Sequence, residues 1–189
     1  ALHERHGETF HMGTSIASIE AGKVTLADGT QLSADLVVLG VGVRPRLALA
    51  EAAGLKVERG VVVDACLETS HPGIYAAGDI ASWPGGADGQ PIRVEHWVVA
   101  ERQGQVAAEN MLGARRPYRD VPFFWSVHHD LTIRCVGHAP TWDELQVDGR
   151  IEARDCMVSY RQGGRALAVA TIGRDAQALE QARLLAAAD

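Results

Sequence analysis

The eleven residues Thr69-Ser70-His71-Pro72-Gly73-Ile74-Tyr75-Ala76-Ala77-Gly78-Asp79 constrain this chain more than any others, because they join a turn, a short apolar run, a glycine and an acid without interruption. Pro72-Gly73 is a turn signal, and Ile74 to Ala77 has the length and character of a strand that a parallel sheet buries on both faces. Gly78 lets a backbone approach a ligand closely. Asp79 is predicted to project from the carboxyl end of that strand, the edge at which open α/β sheets bind their ligands. The stretch therefore predicts an α/β region with parallel strands and a ligand site at a strand end.

Composition excludes several classes. With 189 residues, 47% hydrophobic and 22% charged, the chain can bury a core. A net charge of -6 and a single short basic pair, Arg115-Arg116, leave no footprint for nucleic acid. No apolar run approaches the ~20 residues of a membrane-spanning helix, and the opening Ala-Leu-His-Glu-Arg-His-Gly is too polar for a signal peptide, so a cytoplasmic location is expected. Cys66, Cys135 and Cys156 are odd in number and far apart, which fits a reducing compartment. Cys135 and His138 have a ligand-like spacing without a second pair, and alternating strand positions account for them equally well, so no metal site is expected.

Along the chain, Leu2 to Gly7 reads as the tail of a helix that lacks an N-cap, as though the chain begins within an element. Strands follow at Thr9–Met12, Ser15–Glu20, Lys23–Leu26 and Gln31-Leu32, with Asp28-Gly29 as a tight turn. Asp35–Gly40 contains the continuous run Leu36-Val37-Val38-Leu39 and is predicted to be covered on both faces. A helix spans about Arg46 to Ala53 and stops at Gly54, and Gly60–Asp64 forms another short strand. Trp83 to Pro91 is glycine-rich and predicted to be a mobile loop. Val94 to Leu112 is the longest helix, with Trp97, Ala100, Gly104, Ala107, Ala108 and Met111 near one face; Gly104 costs about 1 kcal/mol there, which close packing is expected to offset. Beyond Gly113–Pro117 come strands at Phe123–Val127, Leu131–Gly137, Glu144–Val147, Cys156–Tyr160 and Ala166–Ile172, with turns at Gly149 and Gly163-Gly164, and a helix from Asp175 to Ala187.

The pattern Thr-Ser-x-Pro-x-Ile-Tyr-Ala-Ala-Gly-Asp resembles the second flavin-binding signature of the pyridine nucleotide-dependent flavoprotein reductases. Three further segments resemble the same family in the same order: Gly40-Val41-Gly42-Val43-Arg44-Pro45, its Gly-x-x-Pro loop; Val94-Glu95-His96-Trp97, its Glu-x-Trp segment; and Pro122-Phe123-Phe124-Trp125-Ser126, the aromatic motif of the ferredoxin-reductase and apoptosis-inducing-factor-like branch. The resemblance implies FAD and NAD(P)H as cofactors. It implies Gly78, Asp79, Glu95, His96, Trp97, Trp125 and Gly42 as cofactor-binding residues, with Asp79 on a ribityl hydroxyl and the helix N-terminus facing the pyrimidine edge of the flavin. That helix end would supply N–H donors and roughly +0.5 of dipolar charge to a ring that becomes negative on reduction. Since the cofactor carries the hard chemistry, no catalytic residue is assigned. The implied reaction runs from NAD(P)H through FAD to a ferredoxin-like or Rieske-type iron–sulfur protein. Val127-His128-His129-Asp130 departs from the acidic or amide residues and aromatic that usually follow Phe-Trp-Ser in the branch, which leaves the docking of the electron acceptor open.

A complete enzyme of this kind carries two Gly-x-Gly-x-x-Gly units, neither of which occurs in this sequence, and needs on the order of 400 residues. The chain is therefore expected to correspond to a C-terminal portion. The fold class is α/β and α+β: residues 1–63 as the end of an NAD(P)H-binding domain, 64–113 as the end of an FAD-binding domain and 114–189 as a small antiparallel-sheet and helix domain. FAD affinity of this chain alone is expected to be weak or absent. An exposed edge at Ile74–Ala77 makes a homo-oligomer plausible. The alternative is a non-catalytic binding or dimerisation module that keeps the same architecture.

Overall fold

At Asp28-Gly29 the chain reverses: the Asp28 carboxylate accepts the Thr30 N–H at 2.9 Å, and that bond holds its pKa below the usual carboxylate value. Around this turn and the one at Gly22 a three-stranded antiparallel meander forms in the order β1 (Ile16–Glu20), β2 (Lys23–Leu26), β3 (Gln31–Ser33). Val24 and Leu26 are its buried side chains, and α1 (Leu2–Arg5) precedes it. The computed structural model describes residues 2–86 and 89–187 and divides into two compact units, Ala1–Arg44 and Pro45–Asp189.

Two strand expectations in the first unit fail. Thr9–Met12 is irregular, with Gly13 at φ +72° turning the chain directly into β1. Asp35–Gly40 is not a strand either: residues 35–46 make no backbone hydrogen bond among the described residues, and Leu36 and Val38 are 80% and 84% exposed. The run has the composition of a buried strand without a neighbouring ladder, and a strand unpaired on both sides gains nothing from being extended.

The second unit has two cores. The first gathers Val63, Leu67, Ala81, Trp83, Ile92, Val99, Val106, Ala107 and Tyr118. It is built from β4 (Val61–Val62) and β5 (Ala81–Ser82), which pair in parallel, and from α3 (Trp97–Met111), with α2 (Ala48–Ala52) preceding them. Trp83 is 2% exposed, not part of a mobile loop. It exchanges backbone hydrogen bonds with Ile92 at 3.1 and 2.9 Å, and its indole lies over Gly85, where no Cβ fits. Burying an indole removes about 150–250 Å² from water, on the order of 4–6 kcal/mol, which outweighs the polar composition of the residues after it. Ala87 and Asp88 of that predicted loop lie outside the described residues.

Ile74–Ala77 is the main correction. It folds back antiparallel on Leu67–Thr69 around the Pro72-Gly73 turn, through Thr69 N–H to Ile74 O at 2.8 Å and Ala76 N–H to Leu67 O at 3.1 Å, and among the described residues it joins no parallel sheet. One edge of the segment is thus paired locally. Leu67 takes φ +65° inside this hairpin. The left-handed conformation costs about 1–2 kcal/mol, and complete burial of the side chain recovers about 1.5–3 kcal/mol.

Helix α3 begins three residues later than Val94 and buries Val99, Gln103, Val106, Ala107 and Asn110, of which the expected face included Ala107 alone. Trp97 and Met111 are 60% and 61% exposed, and a Cβ on Gly104 would meet nothing within 4 Å, so no close packing offsets that glycine. The small residues set the sequence-based face, whereas Val99 and Val106 offer more apolar area and win the core. Asn110 closes the helix end. Its amide donates to the carbonyls of Cys66 at 2.7 Å and Arg116 at 2.8 Å, and its carbonyl accepts the Arg116 N–H at 2.6 Å. Tyr118 packs edge-on against Trp83 at 5.7 Å, and burial pushes its phenol up to about 12.

The second core lies in a five-stranded antiparallel sheet of order β6-β7-β10-β9-β8, comprising β6 (Phe123–His128), β7 (Leu131–Gly137), β8 (Glu144–Arg150), β9 (Asp155–Gln162) and β10 (Arg165–Ile172). Val136, Val169 and Ser159 form one buried cross-strand row. Helix α4 (Asp175–Ala187) packs on β7 and β10 and buries Ala178. Gly149 is not at a turn. It lies within β8 at φ +89°, where a Cβ would collide with the Asp155 carbonyl and the Arg174 guanidinium; the turn falls at residues 151–154. Arg174 holds Asp148 and Asp155 at 2.6 Å each, so the glycine makes room for a cross-strand clamp.

Candidate functional site

Gly78 and Asp79 begin a single 3-10 turn, Gly78–Ile80, rather than ending a strand. Gly78 takes φ +78°, and a Cβ there would stand 3.1 Å from the Ala100 Cβ, so its lack of a side chain brings the turn onto α3. Its N–H donates to Gln103 Oε1 at 2.8 Å within the core. Gln103 is fully buried, and its Nε2 has no acceptor among the described residues. Asp79 is exposed; its carbonyl accepts from Arg93 Nη1 at 2.9 Å, and the same nitrogen meets Glu95 Oε1 at 2.6 Å. Arg93 therefore ties the Asp79 turn to the segment leading into α3.

His96 is the N-cap of α3, in extended conformation, with Nδ1 accepting the Val98 N–H at 3.3 Å. The N–H groups of Trp97 and Val99 have no acceptor among the described residues, as the first turn of a helix requires. Aromatic rings gather here from two elements. His96 lies 5.8 Å from Phe124 and 6.5 Å from Trp125, Trp97 meets Trp125 edge-on at 6.0 Å, and Phe123 lies 6.0 Å from Trp125. Phe124 and Trp125 belong to β6, an edge strand. Trp97, Trp125 and Phe124 are 60%, 44% and 40% exposed, so the cluster presents flat apolar rings and unpaired N–H donors together.

Six of the seven sequence-predicted residues thus lie in one constellation: Gly78, Asp79, Glu95, His96 and Trp97 about the start of α3, and Trp125 against Trp97. The seventh, Gly42, lies in the first unit, exposed at φ +87° with nothing within 4 Å of a built Cβ. Sequence reasoning missed Arg93 and Gln103. Gln103 had a signal, a polar residue spaced four and three positions from Val99 and Val106 on the same helix face; Arg93 had none. A cavity of about 520 Å³ lined by Trp83, Tyr118, Asp120, His138, Arg165 and Leu185, among others, shares no residue with this constellation. Burial pushes the His138 imidazole down and the Cys135 thiol up from their ordinary values.

The chain belongs to the pyridine nucleotide-disulphide oxidoreductase family, whose model matches residues 1–104; a second model, the reductase C-terminal domain, matches residues 123–189. Within that family it is similar to ferredoxin reductases. It is 37% identical, over 98% of its length, to the ferredoxin–NAD(+) reductase component of the anthranilate 1,2-dioxygenase system of Burkholderia cepacia, covering 47% of that protein. It is 35% identical over 92% of its length to putidaredoxin reductase of Pseudomonas putida, covering 43%. Among solved structures, the covalent putidaredoxin reductase–putidaredoxin complex matches with a TM-score of 0.88 at 32% identity, over 98% of this chain and 46% of that one. A ferredoxin reductase from Rhodopseudomonas palustris matches at 0.85 and 34%, over 94% of this chain and 46% of that one. The chain thus spans a little under half the length of the relatives it matches. Among the described residues no helix is long and apolar enough to cross a membrane.

Proposed function

We propose that this chain is the C-terminal portion of an FAD-dependent NAD(P)H oxidoreductase that passes electrons to a ferredoxin-like or Rieske-type iron–sulfur protein. In this reading residues 1–63 close the NAD(P)H-binding domain, 64–113 close the FAD-binding domain and 114–189 form the interface domain. The observation that carries it is the meeting, at the start of one helix, of a buried-glycine turn bearing an exposed acid, unpaired N–H donors and exposed indoles. These groups fit a flavin: an acid for a ribityl hydroxyl, N–H donors for the ring edge that gains negative charge, and rings to lie beside an isoalloxazine. The bound flavin would supply the hydride-to-electron conversion. This chain's residues would bind and orient it: Asp79 holds the ribityl chain, Gln103 and Arg93 hold Asp79's turn, and Trp97 and Trp125 restrict water. The covalent complex of a relative with putidaredoxin, together with Phe124 and Trp125 on an edge strand, supports an iron–sulfur partner.

The test is FAD titration of this chain, read by quenching of indole fluorescence and by flavin absorbance retained after gel filtration. Weak, saturable quenching is expected, with little flavin retained, since the sequence has no Gly-x-Gly-x-x-Gly loop to hold the pyrophosphate. Asp79→Ala should weaken binding roughly ten- to hundredfold, the worth of one hydrogen bond to a charged group. Equal binding by wild type and Asp79→Ala would remove Asp79 from the site.

A further inference from the structure

Strand β8 is the other edge of the five-stranded sheet, and all seven of its residues are exposed. It has β9 as its single strand neighbour among the described residues, so half of its backbone N–H and C=O groups face outward without a ladder. Leu145 and Val147 are 52% and 51% exposed and alternate with Glu144, Gln146, Asp148 and Arg150. The unusual property is the order of these side chains. Set antiparallel to a copy of itself about Val147, the strand Glu-Leu-Gln-Val-Asp-Gly-Arg opposes complementary charged or polar side chains at four of its seven positions. Glu144 falls opposite Arg150, Gln146 opposite Asp148, Leu145 opposite Gly149 and Val147 opposite itself.

We propose that β8 is a self-association edge, on which a second copy of this chain adds its own β8 antiparallel across a two-fold axis at Val147, giving a continuous ten-stranded sheet. Two-fold symmetry applies each pairing twice, so the seam contains two Glu144–Arg150 ion pairs and two Gln146–Asp148 hydrogen bonds on one face, with apolar Leu145 and Val147 on the other. Register is fixed by charge. Sliding the pairing two residues one way sets Asp148 against Asp148, and two the other way sets Glu144 against Asp148, so both neighbouring symmetric registers oppose like charges. The side chains are also partly pre-set. Asp148 is held by Arg174 at 2.6 Å and Glu144 approaches Arg161 at 3.6 Å, while Arg150 has no ion pair or hydrogen bond among the described residues and is available to a partner. Gly149, opposite Leu145, has the Arg174 guanidinium where a side chain would stand, so this position adds no apolar contact to the seam. The occupant favoured is a second copy because the complementarity is to the strand itself; a strand of another protein has no reason to match it.

The experiment is analytical ultracentrifugation of the 189-residue chain across a concentration series, with circular dichroism to confirm that each variant is folded. A strand seam is smaller than a standard interface, so a weak, rapidly exchanging monomer–dimer equilibrium is expected. Glu144→Arg or Arg150→Glu alone turns both ion pairs into repulsions and should weaken the dimer by roughly tenfold or more. The double variant Glu144→Arg with Arg150→Glu restores opposite charges and should restore the dimer. Val147→Cys should be trapped as a disulfide-linked dimer under air oxidation, whereas wild type, with Cys66, Cys135 and Cys156, should not. The proposal is overturned by a chain that stays monomeric at its highest soluble concentration, by a dimer indifferent to the single reversals, or by a double variant that folds without regaining the wild-type equilibrium.

Discussion

Gln103 shows how little of a candidate site's design is visible at its surface. One end of its amide accepts the Gly78 N–H at 2.8 Å, while the other end is buried with no acceptor among the described residues. A buried unmet donor costs about 1–3 kcal/mol, which is as large as the net worth of the bond at the other end. The side chain therefore contributes little net stability, and its value is positional: it fixes the peptide that carries Asp79. Replacing Gln103 by Leu should change unfolding free energy in urea by less than about 1 kcal/mol, yet weaken FAD quenching of the indoles as the Gly78–Ile80 turn loosens. A large loss of stability with unchanged flavin affinity would assign Gln103 to the core alone. Asn110, by contrast, satisfies every polar atom it buries, joining the end of α3 to Cys66 and Arg116.

Among the elements, α3 was legible as a helix and illegible as a surface. Its span follows from an unbroken helical period, but which face goes inward depends on what the rest of the unit offers, and Val99 and Val106 outcompete a stripe of small residues. The consequence for Gly104 is testable. An exposed interior glycine with free space around a built Cβ predicts that Gly104→Ala stabilises the chain by about 1 kcal/mol, seen as a higher urea midpoint with unchanged slope. Destabilisation would mean that another surface packs on α3 in solution. Most of the antiparallel strands and α4 were read nearly to their ends because alternation and glycine turns are local signals, whereas β8 runs three residues past Val147 through Gly149 and Thr9–Met12 forms no strand. Ile74–Ala77 and Asp35–Gly40 were misread for the opposite reason: an apolar run states that it can be buried in a sheet, while the ladder it joins is a property of other strands. The position of Gly78 and Asp79 beside α3 does not depend on that strand, because Arg93 holds the Asp79 carbonyl and Gln103 the Gly78 N–H.

For the molecule as a whole, the division at Arg44 and Pro45 coincides with the stretch that has fewest bonds. Residues 35–46 make no backbone hydrogen bond among the described residues, and the Arg44-Pro45 bond resists trypsin, which leaves Arg46 as the accessible cleavage point. Limited trypsin digestion should cut after Arg46 first and leave 47–189 as the persistent fragment by mass spectrometry. An initial cut within β8 or the 151–154 turn would contradict the ranking of local stability drawn from these hydrogen bonds. The ring cluster has a different consequence at this scale. His96 and Trp97 come from the segment matched by one family model, and Phe123, Phe124 and Trp125 from the segment matched by the other. Neither segment can drift alone without changing what the other's rings touch. Grafting residues 123–189 from a relative would exchange half of a shared aromatic joint, so donors for such a chimera should be chosen by the ring they set against Trp97, ahead of overall identity.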